Sequence, residues 1–163
     1  MNTLTSGPEA PSFQPKKDYF EPMHTAEHIL NQTMVRMFGC PRSRNAHIEK
    51  TKSKCDYELN ASPSQDQIAE IEQKVNQIIS QNLPVTCRMM TREEAAKISD
   101  TSKLPPDTGD MLRVVFVGEY DACPCIGKHV ENTSQIGRFK ITTWDWQPGR
   151  LRLRFKLEQG VAS

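Results

Sequence analysis

Two short histidine-containing patterns stand about a hundred residues apart: His24-x-x-x-His28 and Cys125-x-x-x-His129. Positions i and i+4 of a helix share a face, so His24 and His28 can point at one ion. The second pair lies in PCIGKHV, where Pro124 and Gly127 allow a tight turn that joins thiolate and imidazole. Three imidazoles and one thiolate suit Zn²⁺, whereas Ca²⁺ and Mg²⁺ want oxygen ligands. A fold that directs both pairs at one ion must bring these distant segments together. Of the chain's 4 histidines, only His47 lies outside the set. Cys123 competes with Cys125 as the thiolate, but its six-residue distance from His129 fits a shared turn less well, and a small buried thiol is its plainer reading. The pattern is not the HExxH of a metalloprotease, because Thr25 follows the first histidine. Glu27 reads either as a residue that orients a ligand or as an ordinary exposed helix glutamate.

The chain's 163 residues suit one domain, with 36% hydrophobic and 25% charged residues, as in a folded globular protein. A net charge of +1 gives no global nucleic-acid signature, so any such contact must come from local patches. No apolar run reaches the roughly 18 residues of a membrane span, and the N-terminus lacks the apolar centre of a secretion signal. A cytoplasmic location is the expectation, with the 5 cysteines reduced.

Residues 1–18 carry Pro8, Pro11 and Pro15 among polar neighbours and read as a flexible arm. Residues 19–159 read as a single domain. Pro22 to Phe38 reads as a helix stopped by Gly39. In KTKSKCDYEL, Lys50, Lys52 and Lys54 alternate with Thr51, Ser53 and Cys55 at the two-residue period of a strand within a hairpin-like region. A second amphipathic helix spans about Ser64 to Gln81, capped by Ser62 or Ser64. Pro84 to Met90 is a strand, Thr91-Arg-Glu-Glu94 opens a short helix, and residues 100–110 form a loop. LRVVFVGEY and FKITTW are further strands. RLRLRFKLE sets Leu151, Leu153, Phe155 and Leu157 against Arg150, Arg152, Arg154 and Lys156, a strand with one core face and one basic face. The predicted class is α+β, a mainly antiparallel sheet packed with helices.

With these residues in view, HTAEHILNQTM resembles the HTAxHLL helix of the alanyl-tRNA synthetase editing domain and its free-standing relatives. CIGKHVENTSQIGRFKI is similar to that family's CxGTHVxxTxEIGxFKI segment, and the threonyl-tRNA synthetase editing domain shares the ligand pattern more distantly. The likeness runs from about Glu21 to Leu157. It implies the threonyl/alanyl-tRNA synthetase editing-domain fold and a Zn²⁺ site of His24, His28, Cys125 and His129. It also implies hydrolysis of serine, or glycine, wrongly attached to alanine tRNA. Lys128 stands where the family has threonine, and Ile126 where many members have glycine. The segment 42–59 is shorter and more basic than the synthetase hairpin. Thr51 is therefore either the reader of the serine hydroxyl or a surface threonine. The chain carries no aminoacylation domain, so action in trans is expected.

Editing answers a physical need, because one small group changes binding by only about 1–3 kcal/mol. Zinc would polarise the ester carbonyl, lower the pKa of a bound water, or merely hold the substrate. The tRNA is polyanionic, so cations are expected near its path. The candidates are Lys50, Lys52, Lys54, Lys128, Arg150, Arg152 and Arg154, with Arg42 and Arg44 as further options. Solvated strand faces are the alternative for each. Two other functions remain open: a zinc-stabilised RNA-binding module without hydrolysis, and a hydrolase for a different mischarged tRNA or another ester or amide.

Overall fold

The computed structural model of the protein describes residues 20–99 and 109–158. The expected arm over 1–18, and most of the loop expected over 100–110, lie outside the described residues.

Helix α1 (Glu21–Phe38) has Pro22 in its first turn, where the missing N–H costs nothing. It ends at Gly39, whose φ of 68° lets its N–H close on the Val35 carbonyl. Met23, Ala26, Ile29, Leu30 and Met34 form its core stripe, and His24, Thr25 and His28 are buried as well. Helix α1 is thus covered on two sides, by apolar packing and by a polar cluster.

Strands β1 (Asn45–Ile48) and β2 (Ser53–Tyr57) form the expected hairpin. Lys50, Thr51 and Lys52 lie in its turn and not on a strand, a correction to the sequence reading. The lysine alternation has no apolar partner until Ser53, Cys55 and Tyr57 turn inward, so it does not set the strand's start. Helix α2 (Gln65–Ile79) is capped by Ser64 rather than Ser62, in a reciprocal box with Gln67. Ser64→Ala is expected to cost about 1 kcal/mol, measurable as a lower urea midpoint.

Strand β3 (Val85–Thr91) leads into α3 (Arg92–Ile98), with Thr91 and Glu94 forming the expected capping box. The strand expected in LRVVFVGEY forms, but stops before its last three residues. Strand β4 (Met111–Val117) ends at Gly118, whose φ of 51° opens a turn into β5 (Asp121–Pro124). After a 3₁₀ turn at Thr133–Gln135, β6 (Arg138–Gln147) and β7 (Arg150–Glu158) close the chain.

The architecture is α+β, with the strands divided between two antiparallel sheets. One has the order β1-β2-β7-β6, the other β3-β4-β5. Helices α1 and α2 pack with the larger sheet around Tyr57, Phe139, Leu151, Leu153 and Phe155, all fully buried. A smaller cluster of Met90, Ala95, Leu112 and Val114 seats α3 on the second sheet. No helix among the described residues is long and apolar enough to cross a membrane.

Candidate metal centre

Helix α1 presents His24 and His28 one turn apart, and the loop leaving β5 supplies Cys125 and His129. The loop is tied to β4 at its base. The Cys125 N–H donates to the Arg113 carbonyl at 3.0 Å, and Arg113 Nη1 donates to the carbonyls of Cys125 and Gly127 at 2.8 and 2.9 Å. One ligand atom from each of His24, His28, Cys125 and His129 falls within 4.8 Å of all the others. The two sequence pairs therefore converge on one point.

The imidazoles of His24 and His129 are each oriented through Nδ1, as metal-binding histidines generally are. His24 Nδ1 donates to the Lys128 carbonyl at 3.0 Å. Thr25 Oγ1 gives its own hydrogen to the Glu21 carbonyl, so it accepts from His129 Nδ1 at 2.9 Å. His28 Nδ1 stands 3.6 Å from the buried Asp121 carboxylate. Asp121 in turn accepts from Arg42 Nη1 at 2.6 Å, Arg42 Nη2 at 3.2 Å and Gln32 Nε2 at 2.9 Å. In each ring, this leaves Nε2 for the shared centre.

Burial raises the Cys125 thiol, but the neighbouring imidazoles of His129, His24 and His28 outweigh it and hold the group at about 3. The Gly127 N–H also donates to this sulfur at 3.4 Å. Burial drives His129 down to about 4. Burial also lowers His28, but Asp121 and Cys125 overcome it and raise it to about 9. Burial pushes Cys123 up to about 12, which leaves Cys125 as the thiolate of the pair. A thiolate ringed by imidazoles is the donor set of a soft or borderline cation. His129 Nε2 is buried without a hydrogen-bond partner, as expected of an atom that ligates an ion.

The loop also needs Gly127. A Cβ at this position would fall 2.3 Å from His24 Cε1, so any side chain here displaces a ligand.

The candidate tRNA contacts are scattered. Lys128 is exposed beside the centre, while its carbonyl orients His24. Lys50, Thr51 and Lys52 are exposed in the β1–β2 turn, and Lys54 is half-buried on β2. Arg150, Arg152 and Arg154 stand on the face of β7 opposite Leu151, Leu153 and Phe155, the residues that pack on the helices. They are also ion-paired. Arg152 makes two bonds to Asp56, at 2.7 and 2.9 Å, while Arg150 and Arg154 hold the two oxygens of Asp145 at 2.8 and 2.9 Å. Arg42 is mostly buried against Asp121, and exposed Arg44 pairs with Glu58.

Residues 112–156 match the family described as the threonyl and alanyl tRNA synthetase second additional domain. Over 121 residues, 74% of this chain, it is 33% identical to an alanine–tRNA ligase of Fervidobacterium nodosum. It is 34% identical to that of Caldicellulosiruptor saccharolyticus over 72% of the chain. For the Methanococcus vannielii enzyme the identity is 33% over 84%. The chain belongs to the alanyl-tRNA synthetase editing-domain family. It spans 14% of the length of the first two ligases and 16% of the third.

In this editing-domain chain His24, His28 and Cys125 open onto a cavity of about 280 Å³, lined also by Glu27, Cys123 and the apolar surfaces of Ala46, Ile48 and Pro124. Asp121, Thr25 and Arg113 carry much of the centre's architecture, yet sequence reasoning did not assign them a role. Thr25 adjoins a ligand, which was the one available signal. Asp121 and Arg113 had none.

Proposed function

We propose that this chain is an aminoacyl-tRNA deacylase that removes serine, or glycine, from mischarged alanine tRNA, with Zn²⁺ held by His24, His28, Cys125 and His129. The observation that carries this reading is the convergence of four zinc-type donors, three of them on the wall of a small cavity, within a family whose relatives are alanine–tRNA ligases. When bound, the ion supplies a Lewis acid beside the ester carbonyl.

The chain's own groups do the rest. Lys128 and Thr25 fix the imidazoles of His24 and His129, and the Asp121 carboxylate faces His28 Nδ1 at 3.6 Å, so the donors need little rearrangement to take up the ion. Ala46, Ile48 and Pro124 give the aminoacyl group an apolar wall that limits water around the ester. At about 280 Å³ the cavity is at the small end for ligand sites, which suits serine, glycine or alanine better than a bulky side chain. Exposed Lys128 would meet a phosphate near the tRNA end.

The test is release of serine and glycine from Ser-tRNA(Ala) and Gly-tRNA(Ala), with and without a chelator. The expected result is release that stops on chelation and returns with Zn²⁺. A second reading rests on the ligand count, since four protein donors describe a closed, structural zinc site. Stoichiometric zinc without release from any mischarged tRNA would favour that reading, a zinc-stabilised RNA-binding module.

Gly127→Ala should weaken zinc binding by about tenfold or more, because the new methyl group occupies the place of the His24 ring. Competition with a chromophoric chelator measures this. An unchanged affinity would show that His24 is not a required ligand.

A further inference from the structure

The cavity beside the metal donors contains one carboxylate that the ligand set does not use. Glu27 lies on α1 between His24 and His28 in sequence and lines the same cavity. Its side chain is only 15% exposed, so it is not the solvated helix glutamate that the sequence allowed. One carboxylate oxygen stands 3.9 Å from His24 Nε2, and the other accepts from Asn31 Nδ2 at 3.5 Å. The Asn31 carbonyl oxygen is held elsewhere, by Tyr57 Oη at 2.7 Å and the Ser43 N–H at 3.3 Å. This anchoring fixes the amide that touches Glu27. Glu27 is outside the tight group of donors, which consists of His24, His28, Cys125 and His129.

An aminoacyl ester differs from other small esters by its α-ammonium group, whose nitrogen is two bonds from the carbonyl carbon. A pocket that accepts aminoacyl esters must give that cation a partner, because a desolvated ammonium without one is strongly disfavoured. The remaining cavity wall is formed by Ala46, Ile48, Pro124 and the Cys123 thiol, and carries no second carboxylate.

We propose that Glu27 receives the α-ammonium group of the aminoacyl ester and so makes the pocket selective for substrates with a free α-amine. This rests on the deacylase reading and deepens it: Glu27 is a specificity residue rather than a metal ligand. The carboxylate binds the cation next to the metal donors, one of its oxygens standing 3.9 Å from His24 Nε2.

The test uses a non-hydrolysable probe, 3′-deoxy-3′-(L-serylamino)adenosine, and its N-acetyl form. Binding of each is measured by calorimetry to the zinc-loaded full chain and to Glu27→Gln, with zinc content and melting temperature recorded for both proteins. The wild-type chain should bind the free-amine probe about tenfold or more tighter than the acetylated one, the scale of a charge-assisted hydrogen bond. Glu27→Gln should erase most of that preference while keeping its zinc and its melting temperature. A preference that survives in Glu27→Gln overturns the assignment, and so does equal binding of the two probes by the wild-type chain. If the wild-type chain binds neither probe, the pocket is not an aminoacyl site and the deacylase reading falls with the role of Glu27. Should Glu27→Gln lose zinc, Glu27→Asp serves as the second variant. It keeps the charge, and it should keep the free-amine preference if the carboxylate is what binds the amine.

Discussion

Cys125→Ser is expected to lower zinc affinity by about a hundredfold or more and to abolish deacylation, without unfolding the chain. Structural zinc sites bind with about 10–16 kcal/mol shared among four ligands, so one ligand accounts for roughly 2.5–4 kcal/mol, or about a hundredfold to a thousandfold. The serine hydroxyl is a poor replacement. The sulfur is poised as an anion at about 3 by three imidazoles, and a neutral hydroxyl brings no such charge to the ion. The backbone of the loop is held independently of the sulfur, through Arg113 and the Cys125 N–H, which is why the fold should survive. Zinc content by atomic absorption and serine release from Ser-tRNA(Ala) check both halves of the expectation. Cys123→Ser is the matched control. Its thiol is raised to about 12 by burial and lies outside the donor group, so zinc stoichiometry should not change. Equal zinc loss in both variants would mean that the thiolate has been assigned to the wrong cysteine.

The four donors were legible in the sequence because each half of the centre is local. A helix places His24 beside His28, and a short turn does the same for Cys125 and His129. What orients them was not legible, since Lys128 and Thr25 reach their imidazole partners across 104 residues. The same divide runs through the fold. Helix α2 and strand β7 announce themselves by periodicity that burial then follows: Ile68, Ile71, Val75 and Ile79 on one, Leu151, Leu153 and Phe155 on the other. Strand β5 has four residues and too little alternation to mark it, yet it carries Asp121 and delivers Cys125. The basic face of β7 was read correctly as a face but not as a set of ion pairs. Its partners Asp56 and Asp145 come from neighbouring strands in register with Arg152, and no local pattern reports them. Two sheets rather than one follow from the same limit, because strand order is a property of long-range pairing.

Asp121→Ala is the substitution expected to damage stability and the metal centre together. The carboxylate is 3% exposed and sits between two basic groups, Arg42 and His28. Burial alone would raise it, but His28 and Arg42 reverse this and hold it at about 2. Removing one partner from a buried ion pair costs about 3–5 kcal/mol, because the remaining charge keeps its desolvation penalty and loses its compensation. Thermal unfolding should therefore fall by about 10 °C, taking roughly 2–4 °C per kcal/mol for a chain of this size. The pH dependence has a definite sign. A carboxylate depressed in the folded state contributes its full stability above its unfolded value near 4, and that contribution is lost as pH falls toward 2. The gap between wild type and Asp121→Ala should consequently narrow in acid. At the metal centre, His28 loses the group facing its Nδ1, and zinc affinity should drop by about tenfold to a hundredfold. Asp121→Asn separates the two effects. It keeps the shape and one acceptor oxygen for Arg42 or Gln32 but removes the charge beside His28. If Asp121→Asn melts close to wild type yet binds zinc weakly, the carboxylate acts through His28. If it melts low and binds zinc normally, Asp121 serves the fold alone, as the anchor of Arg42 between α1 and β5.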